Sequence, residues 1–352
     1  MVSTHGRRRA AGALLPLLVV SSAGCEQQAQ AEEVVVASAS GLSNKDGTGF
    51  YDRAFRAFTE QTGIRVRYSE AGSGEIVQQL ESRKNAPRTD LVVVLPPFSQ
   101  HAAEEGLLDV YRPKGAADMD VADRAPDGYW TAIVNTYLCF IHNRDKVKEP
   151  PKTWADLLSP KYRGKVQYST PGVAGDGTAV LIKAIHDFGG EQPALEYLKD
   201  LQVNNAGPSG STGKLADKVD SGEIWIANGD VQMNVSRMAA LPNQGIFFLA
   251  PNGRTKPTTL AVPYTAGVVK GAPHGMAARR LVDFLLSHDV QQTVSSTSAG
   301  LPIRDDVEDT SANSKTLKDL MAGVEVFVPD WSMVDRRFED NVNAWKAATG
   351  IR

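Results

Sequence analysis

Val34-Val35-Val36-Ala37-Ser38-Ala39-Ser40-Gly41 begins as a short apolar run and ends in small and hydroxyl residues, the pattern of a buried strand that empties into a loop. Residues 50–61 follow with Phe50, Ala54, Phe55, Ala57 and Phe58 on one helical face, and Gly63 is the stop signal. Residues 65–68 read as a second strand running into Glu70-Ala71-Gly72-Ser73-Gly74. Residues 75–84 read as a second helix, and 90–95 as a third strand closed by Pro96-Pro97. Strand, helix, strand, helix, strand predicts an α/β fold with a mainly parallel sheet and helices on both of its faces.

The second half has the same style in different residues. A strand at 165–168 leads into Ser169-Thr170-Pro171-Gly172, and Asp176-Gly177-Thr178 opens a helix that stops at Gly189-Gly190. Ser211-Thr212-Gly213-Lys214 opens a shorter helix, and a strand at 223–227 ends in Asn228-Gly229-Asp230. Further strands are expected at 245–250 and within 258–269, and from Ala277 onward the pattern is helical. In open sheets of this kind ligands sit outside the carboxyl ends of the strands. Those ends, at 38–41, 70–74, 169–172 and 228–230, come from both halves of the chain, so a cleft between two lobes is expected.

Composition narrows the function classes. The chain has 352 residues, 42% of them hydrophobic, enough for two domains that each bury a core. A formal charge of -3 with scattered cations argues against a nucleic-acid partner. Two cysteines make no disulfide framework and no zinc spacing, and none of the six histidines stands in a HExxH pattern or beside a nucleophile. No metal, cofactor or catalytic triad is therefore expected. Cys139, inside Tyr137-Leu138-Cys139-Phe140-Ile141, reads as a small core residue.

The start of the chain reads as a secretion signal over 1–24. Arg7, Arg8 and Arg9 precede an apolar stretch at 10–20, too short for the roughly 20 residues of a membrane span. The ending Ser22-Ala23-Gly24-Cys25 resembles a bacterial lipobox with Ser22 in place of its usual Leu, which implies a lipid on Cys25 and a polar tether over 25–33. Removing 1–24 takes away three arginines and no acid, so -3 becomes -6.

Two motifs have competing readings. Gly207-Pro208-Ser209-Gly210-Ser211-Thr212-Gly213-Lys214 looks like a phosphate-binding P-loop, but Pro208 stands where the first glycine belongs and Leu215 where a hydroxyl belongs. The same stretch holds Ser211-x-x-Lys214, the spacing of serine acyl-enzymes, without their partner motifs. Ser211 or Thr212 also suits a helix N-cap, and such an N-terminus with exposed amides and hydroxyls is an anion site. Asp176-Gly177-Thr178 is open in the same way, as a plain cap or as part of an anion site.

Several stretches resemble the 2-aminoethylphosphonate-binding proteins of bacterial ABC importers, relatives of the ferric-iron-binding proteins. They are Phe58-Thr59-Glu60-Gln61-Thr62-Gly63-Ile64, Pro96-Pro97-Phe98, Gln167-Tyr168-Ser169-Thr170-Pro171-Gly172 with Asp176-Gly177-Thr178-Ala179-Val180, Asn205-Ala206-Gly207-Pro208-Ser209 leading to Lys214-Leu215, and Ala227-Asn228-Gly229-Asp230-Val231-Gln232-Met233-Asn234. The resemblance implies a two-lobed periplasmic-binding-protein fold of type II, with mixed, mainly parallel sheets and a hinge crossed twice, near Asn135 and near Pro263. Lobe 1 would comprise 34–134 with 264–352, and lobe 2 would be 135–263. It further implies a non-enzymatic monomer in the periplasm or on the outer face of the cytoplasmic membrane, held there only by its lipid, that serves permease and ATPase subunits.

The implied ligand is a zwitterion. Ser169, Thr170, Gly177, Thr178, Ser211 and Thr212 would surround its phosphonate, joined by Ser40 and Ser73 from the other lobe. Asp230 would take the ammonium, with Asp176 and Glu70 as alternatives, and Tyr264 would stack over or hydrogen-bond the ligand. Iron-binding relatives carry adjacent tyrosines near the position where this chain has Asn228-Gly229-Asp230; without those phenolates a ferric ion loses its main anchors, so ferric iron, with another small anion or a polyamine, is only the alternative cargo. A serine acyl-enzyme using Ser211 and Lys214 is the alternative from another class.

Overall fold

The first sheet contains β1 (Glu33–Ser38), β2 (Arg65–Glu70), β3 (Leu91–Val94), β4 (Thr131–Val134) and a late strand, β10 (Tyr264–Val268), in the order β2-β1-β3-β10-β4. β1 pairs in parallel with β2 and β3, whereas β10 runs antiparallel to β3 and β4. These are the elements of a computed structural model that describes residues 1–3 and 32–351. Cys25, nearly all of the expected leader and most of the tether lie outside the described residues. Glu32–Arg352 forms a compact unit of its own.

All four residues of Leu91-Val92-Val93-Val94 are buried because the strand is covered on both faces. Alternate side chains point to opposite sides of a strand. Leu91 and Val93 accordingly join Val34, Val36, Phe50 and Phe58 in one apolar cluster, while Val92 and Val94 join Ile76, Leu80 and Phe98 in another. The helix Phe50–Thr62 buries Phe50, Tyr51, Ala54 and Phe58 and ends at Gly63, whose φ of 74° lets its amide reach the Thr59 carbonyl at 2.8 Å.

The second sheet has the order β6-β7-β5-β8, from β5 (Leu138–Asn143), β6 (Val166–Gln167), β7 (Ile226–Asp230) and β8 (Gln244–Phe247). Its β6 and β7 are parallel and its other pairings antiparallel, so both sheets are mixed. β7 extends through Asn228-Gly229-Asp230 rather than stopping before it. Cys139 is buried beside Ile141, Leu215 and Val219.

The chain leaves the first sheet at Val134 and enters the second at Leu138; it returns from β9 (Thr258–Leu260) to β10 at Tyr264. The expected strand region at 258–269 is thus two strands in different sheets. The two linking segments lie against each other, with the Val262 amide donating to the Thr136 carbonyl at 2.9 Å.

The C-terminal part departs from the expected assignment of 264–352 to lobe 1. β11 (Glu325–Phe327) pairs in parallel with β9. The helix Phe338–Thr349 packs on the helix Glu191–Leu201, and Trp345 is buried in the second sheet's core with Nε1 donating to Tyr168 Oη at 3.1 Å. Phe338 and Val342, on the same helix, reach the first-sheet cluster, where Phe338 meets Phe98 edge to face at 5.1 Å. The tail straddles both lobes because its helix has apolar residues for each.

Truncating a fully buried tryptophan costs about 3–5 kcal/mol. Trp345→Ala should lower unfolding stability by that amount in a urea titration; a change below about 1 kcal/mol would show that the tail is not integral to the second core.

Candidate functional site

Three helices begin at one cavity between the two sheets. Ser73–Ser82 follows β2, Gly175–Asp187 follows β6, and Gly213–Ser221 precedes β7. Gly72 and Ser73, Ala174 to Asp176, and Thr212 with Gly213 line a space of about 320 Å³, measured with its opening to solvent. None of the three N-termini is capped by a side-chain hydrogen bond. Each carries the positive end of a helix dipole and amides that a ligand can satisfy. No lysine or arginine lines the cavity.

Of the residues expected to bind ligand, Ser40, Ser73, Asp176, Ser211 and Thr212 line this space. Ser73 also holds the fold, its Oγ accepting from the Leu95 amide at 3.1 Å. Ser169, Thr170, Gly177 and Thr178 stand behind the wall. Ser169 Oγ receives hydrogen bonds from Thr212 Oγ1 and Asn228 Nδ2, each at 3.0 Å, and the Ser169 amide donates to Asn228 Oδ1 at 2.8 Å. Thr170 Oγ1 accepts from the Ser209 amide at 3.1 Å, and Thr178 Oγ1 from the Gly172 amide at 3.0 Å. Gly177 is needed for packing, since a Cβ there would run into the Ser169 carbonyl. These four order the loops that carry the lining residues.

Asp230 and Tyr264 also lie off the lining, at the hinge. Asp230 caps the helix Val231–Ser236, accepting from the Met233 amide at 2.7 Å, and Thr136 Oγ1 and Tyr264 Oη each stand 3.4 Å from its oxygens. Burial, then the nearby Asp176 charge, pushes its carboxyl well above the usual range. Tyr264 Oη donates to the Ser40 carbonyl at 2.8 Å, so Tyr264 holds a cavity-wall residue from behind. Glu70 is exposed and its carboxylate is taken by Tyr68 Oη. Lys214 is exposed, and Ser211 Oγ has no hydrogen bond to it among the described residues.

Asp176 differs from its neighbours. It is buried, it lines the cavity, and its Oδ1 has no hydrogen-bond partner. Burial raises its carboxyl to about 6, with the Thr212 hydroxyl opposing the shift. The cavity thus offers amides and hydroxyls for an anion and one unmatched acceptor for a donor.

Sequence reasoning missed the role of Gln232, whose Nε2 donates to the Gly41 carbonyl at 2.8 Å and the Ser298 carbonyl at 2.7 Å. A glutamine in the first turn of a short helix gives no local signal of such distant partners.

Two mixed sheets joined by paired hinge segments around a cavity lined with helix N-termini define a type II periplasmic binding fold, a receptor that encloses a small solute. Comparison with known proteins agrees. The profile of bacterial extracellular solute-binding proteins matches residues 86–336, and the chain belongs to that family. A Salmonella typhimurium protein named "Putative 2-aminoethylphosphonate-binding periplasmic protein" is 41% identical over 340 residues, 96% of this chain and 97% of the relative. Among solved structures, the periplasmic binding protein P5PA matches with a TM-score of 0.78 at 19% identity, over 90% of this chain and 99% of that one. The ferric binding protein from Campylobacter jejuni matches at 0.72 with 20% identity, over 91% and 100%. The protein is a periplasmic solute-binding component of an ABC importer.

The Asp176 carboxyl sits above its unfolded value of 3.8 at about 6, so the folded state holds the extra proton between those limits. Its contribution to stability is full below about pH 4 and is lost as pH rises through about 6. The ligand-free protein should therefore melt at lower temperature at about pH 7 than at about pH 4.5, with a smaller difference in Asp176→Asn. Equal differences in the two proteins would remove Asp176 as the source.

Proposed function

We propose that the solute is 2-aminoethylphosphonate. The observation that carries this reading is the pairing, in one small cavity, of three helix N-termini without side-chain caps with a buried carboxylate one of whose oxygens lacks a partner. Helix N-termini favour an anionic group, and a phosphonate has three acceptor oxygens to spread over them. The Asp176 oxygen requires a donor, which the ammonium two carbons away supplies. Asp176 takes this role in preference to Asp230, which lies off the cavity lining and whose Oδ1 already accepts from the Met233 amide. The 41% identity to a protein named for this ligand supports the same reading. The proposal includes a monomeric receptor anchored by a lipid on Cys25.

Ligand size limits affinity. With seven non-hydrogen atoms at a ceiling of about 1.5 kcal/mol each, binding reaches roughly -10 kcal/mol, a Kd in the tens of nanomolar.

Ferric iron is the competing cargo because the fold is shared with a ferric binding protein. Among the described residues, however, no three His, Cys, Asp or Glu side chains are grouped to hold a metal. The tyrosine pair expected of iron binders is replaced by Asn228-Gly229-Asp230.

Calorimetry tests the assignment. 2-Aminoethylphosphonate should bind, and ethylphosphonate, which lacks the amine, should bind much more weakly. A charge-assisted hydrogen bond is worth about 1.5–3 kcal/mol, so Asp176→Asn should weaken 2-aminoethylphosphonate roughly 10- to 100-fold and ethylphosphonate little. Equal losses for the two would refute the carboxylate–ammonium pairing. Heat with inorganic phosphate but none with 2-aminoethylphosphonate, or a visible colour on adding ferric iron, would overturn the ligand.

A further inference from the structure

We propose that the end of the first lobe remote from the cleft is a docking surface for anionic phospholipid head groups in a bilayer. A second cavity opens there, about 490 Å³ with its mouth, behind the C-terminal end of the helix Ser73–Ser82. Its apolar floor includes Ile76, Leu80, Leu107 and Val269, and Arg83, Lys84, Arg88 and Lys270 are the charged residues of its lining. No acid lines it. All four cations are exposed, and none has a carboxylate within ion-pair distance among the described residues. Four uncompensated cations around one opening stand out in a chain whose expected mature charge is -6.

Sheet register fixes where this opening lies. The Asp90 amide donates to the Val35 carbonyl, and the Val269 amide to the Asp90 carbonyl. Arg88 and Lys270 are thus level with the start of β1, at the opposite end of the sheet from the strand termini that face the ligand cavity. Residue 32, where the first 31 residues join the fold, is at this same end. Any anchor in the preceding segment would draw this pole toward a membrane.

The neighbouring acids are partly answered within the protein. Glu33 pairs with Arg65 and Arg67, while Glu81 and Asp90 contact His101 and His274, which carry charge only when protonated, and Glu32 and Glu105 remain exposed. The opening itself keeps its positive sign. The floor side chains are already buried in the core, so an occupant is recognised by the charged rim. An anionic bilayer surface presents many phosphate head groups to that rim at once, whereas a soluble phosphate presents one.

Pelleting with vesicles tests this on Glu32–Arg352, the compact unit described above. The protein should pellet with phosphatidylglycerol vesicles and stay in solution with phosphatidylcholine vesicles, and high salt should release it. Each basic residue near an anionic surface contributes about fivefold in binding, so Arg83→Glu with Arg88→Glu should lower it at least about 25-fold. Both residues are exposed, so the variant should keep the wild-type melting temperature and the wild-type calorimetric response to 2-aminoethylphosphonate. A folded variant that pellets like wild type, or equal pelleting with the two lipids, would overturn the proposal. So would saturation by soluble glycerol phosphate as tight as that by vesicles, which would make the pocket a small-molecule site instead. The cargo reading and this one fail separately, since calorimetry reads the first and pelleting the second.

Discussion

The closed arrangement depends on backbone meeting backbone across the cleft. The Gly74 amide donates to the Val173 carbonyl at 2.9 Å, joining the helix that follows β2 to the loop that follows β6. A Cβ at Gly74 would overlap the Gly172 carbonyl, so glycine is what allows the first-lobe helix to come this close. That approach brings the N-terminus of Ser73–Ser82 to the same cavity as the N-termini of Gly175–Asp187 and Gly213–Ser221. Without it the cavity would be an open groove lined by only two helix ends.

The electrostatics of the site follow from that geometry. Net charge says little about it: the chain is acidic overall, and the cavity wall holds a carboxylate and no cation. Attraction for an anion comes from oriented amides, which act over a short range and are strongest where water is excluded. Asp176 in the first turn of its own helix is also favoured by that dipole, yet burial outweighs this and raises its carboxyl. A ligand with positive charge relieves this cost by supplying the partner that the fold does not.

Much of the fold was legible because it rests on local pattern. The apolar runs of the first and third strands, the face of Phe50, Ala54 and Phe58, and the stop at Gly63 are all set by neighbours within a few residues. The cavity was legible for a different reason, since strand ends in such sheets carry the ligand residues whatever their detail. What was not legible depended on partners far away in sequence. Nothing near Trp345 says that its ring belongs with Tyr168, and nothing near Asp230 says that Thr136 and Tyr264 stand against its oxygens. The serine and threonine residues at 169, 170 and 178 look like ligand donors by type but are consumed in holding loops.

The residues that missed the cavity wall explain how the wall is held. Tyr264 bonds the Ser40 carbonyl from the return segment of the hinge, and Gln232, from the second lobe, bonds the next carbonyl, that of Gly41. Thr136, on the outgoing hinge segment, accepts the Gln232 amide and touches Asp230. One first-lobe loop is therefore gripped by the return hinge segment and by the opposite lobe, whose Gln232 is itself held by the outgoing segment, through groups that are nearly all buried. Because unpaired buried polar groups are costly, these bonds favour a single relative position of the lobes once they form. The hydroxyl of Ser40 then faces the helix ends at a fixed place, so the shape of the cavity is set by the hinge as much as by its own lining.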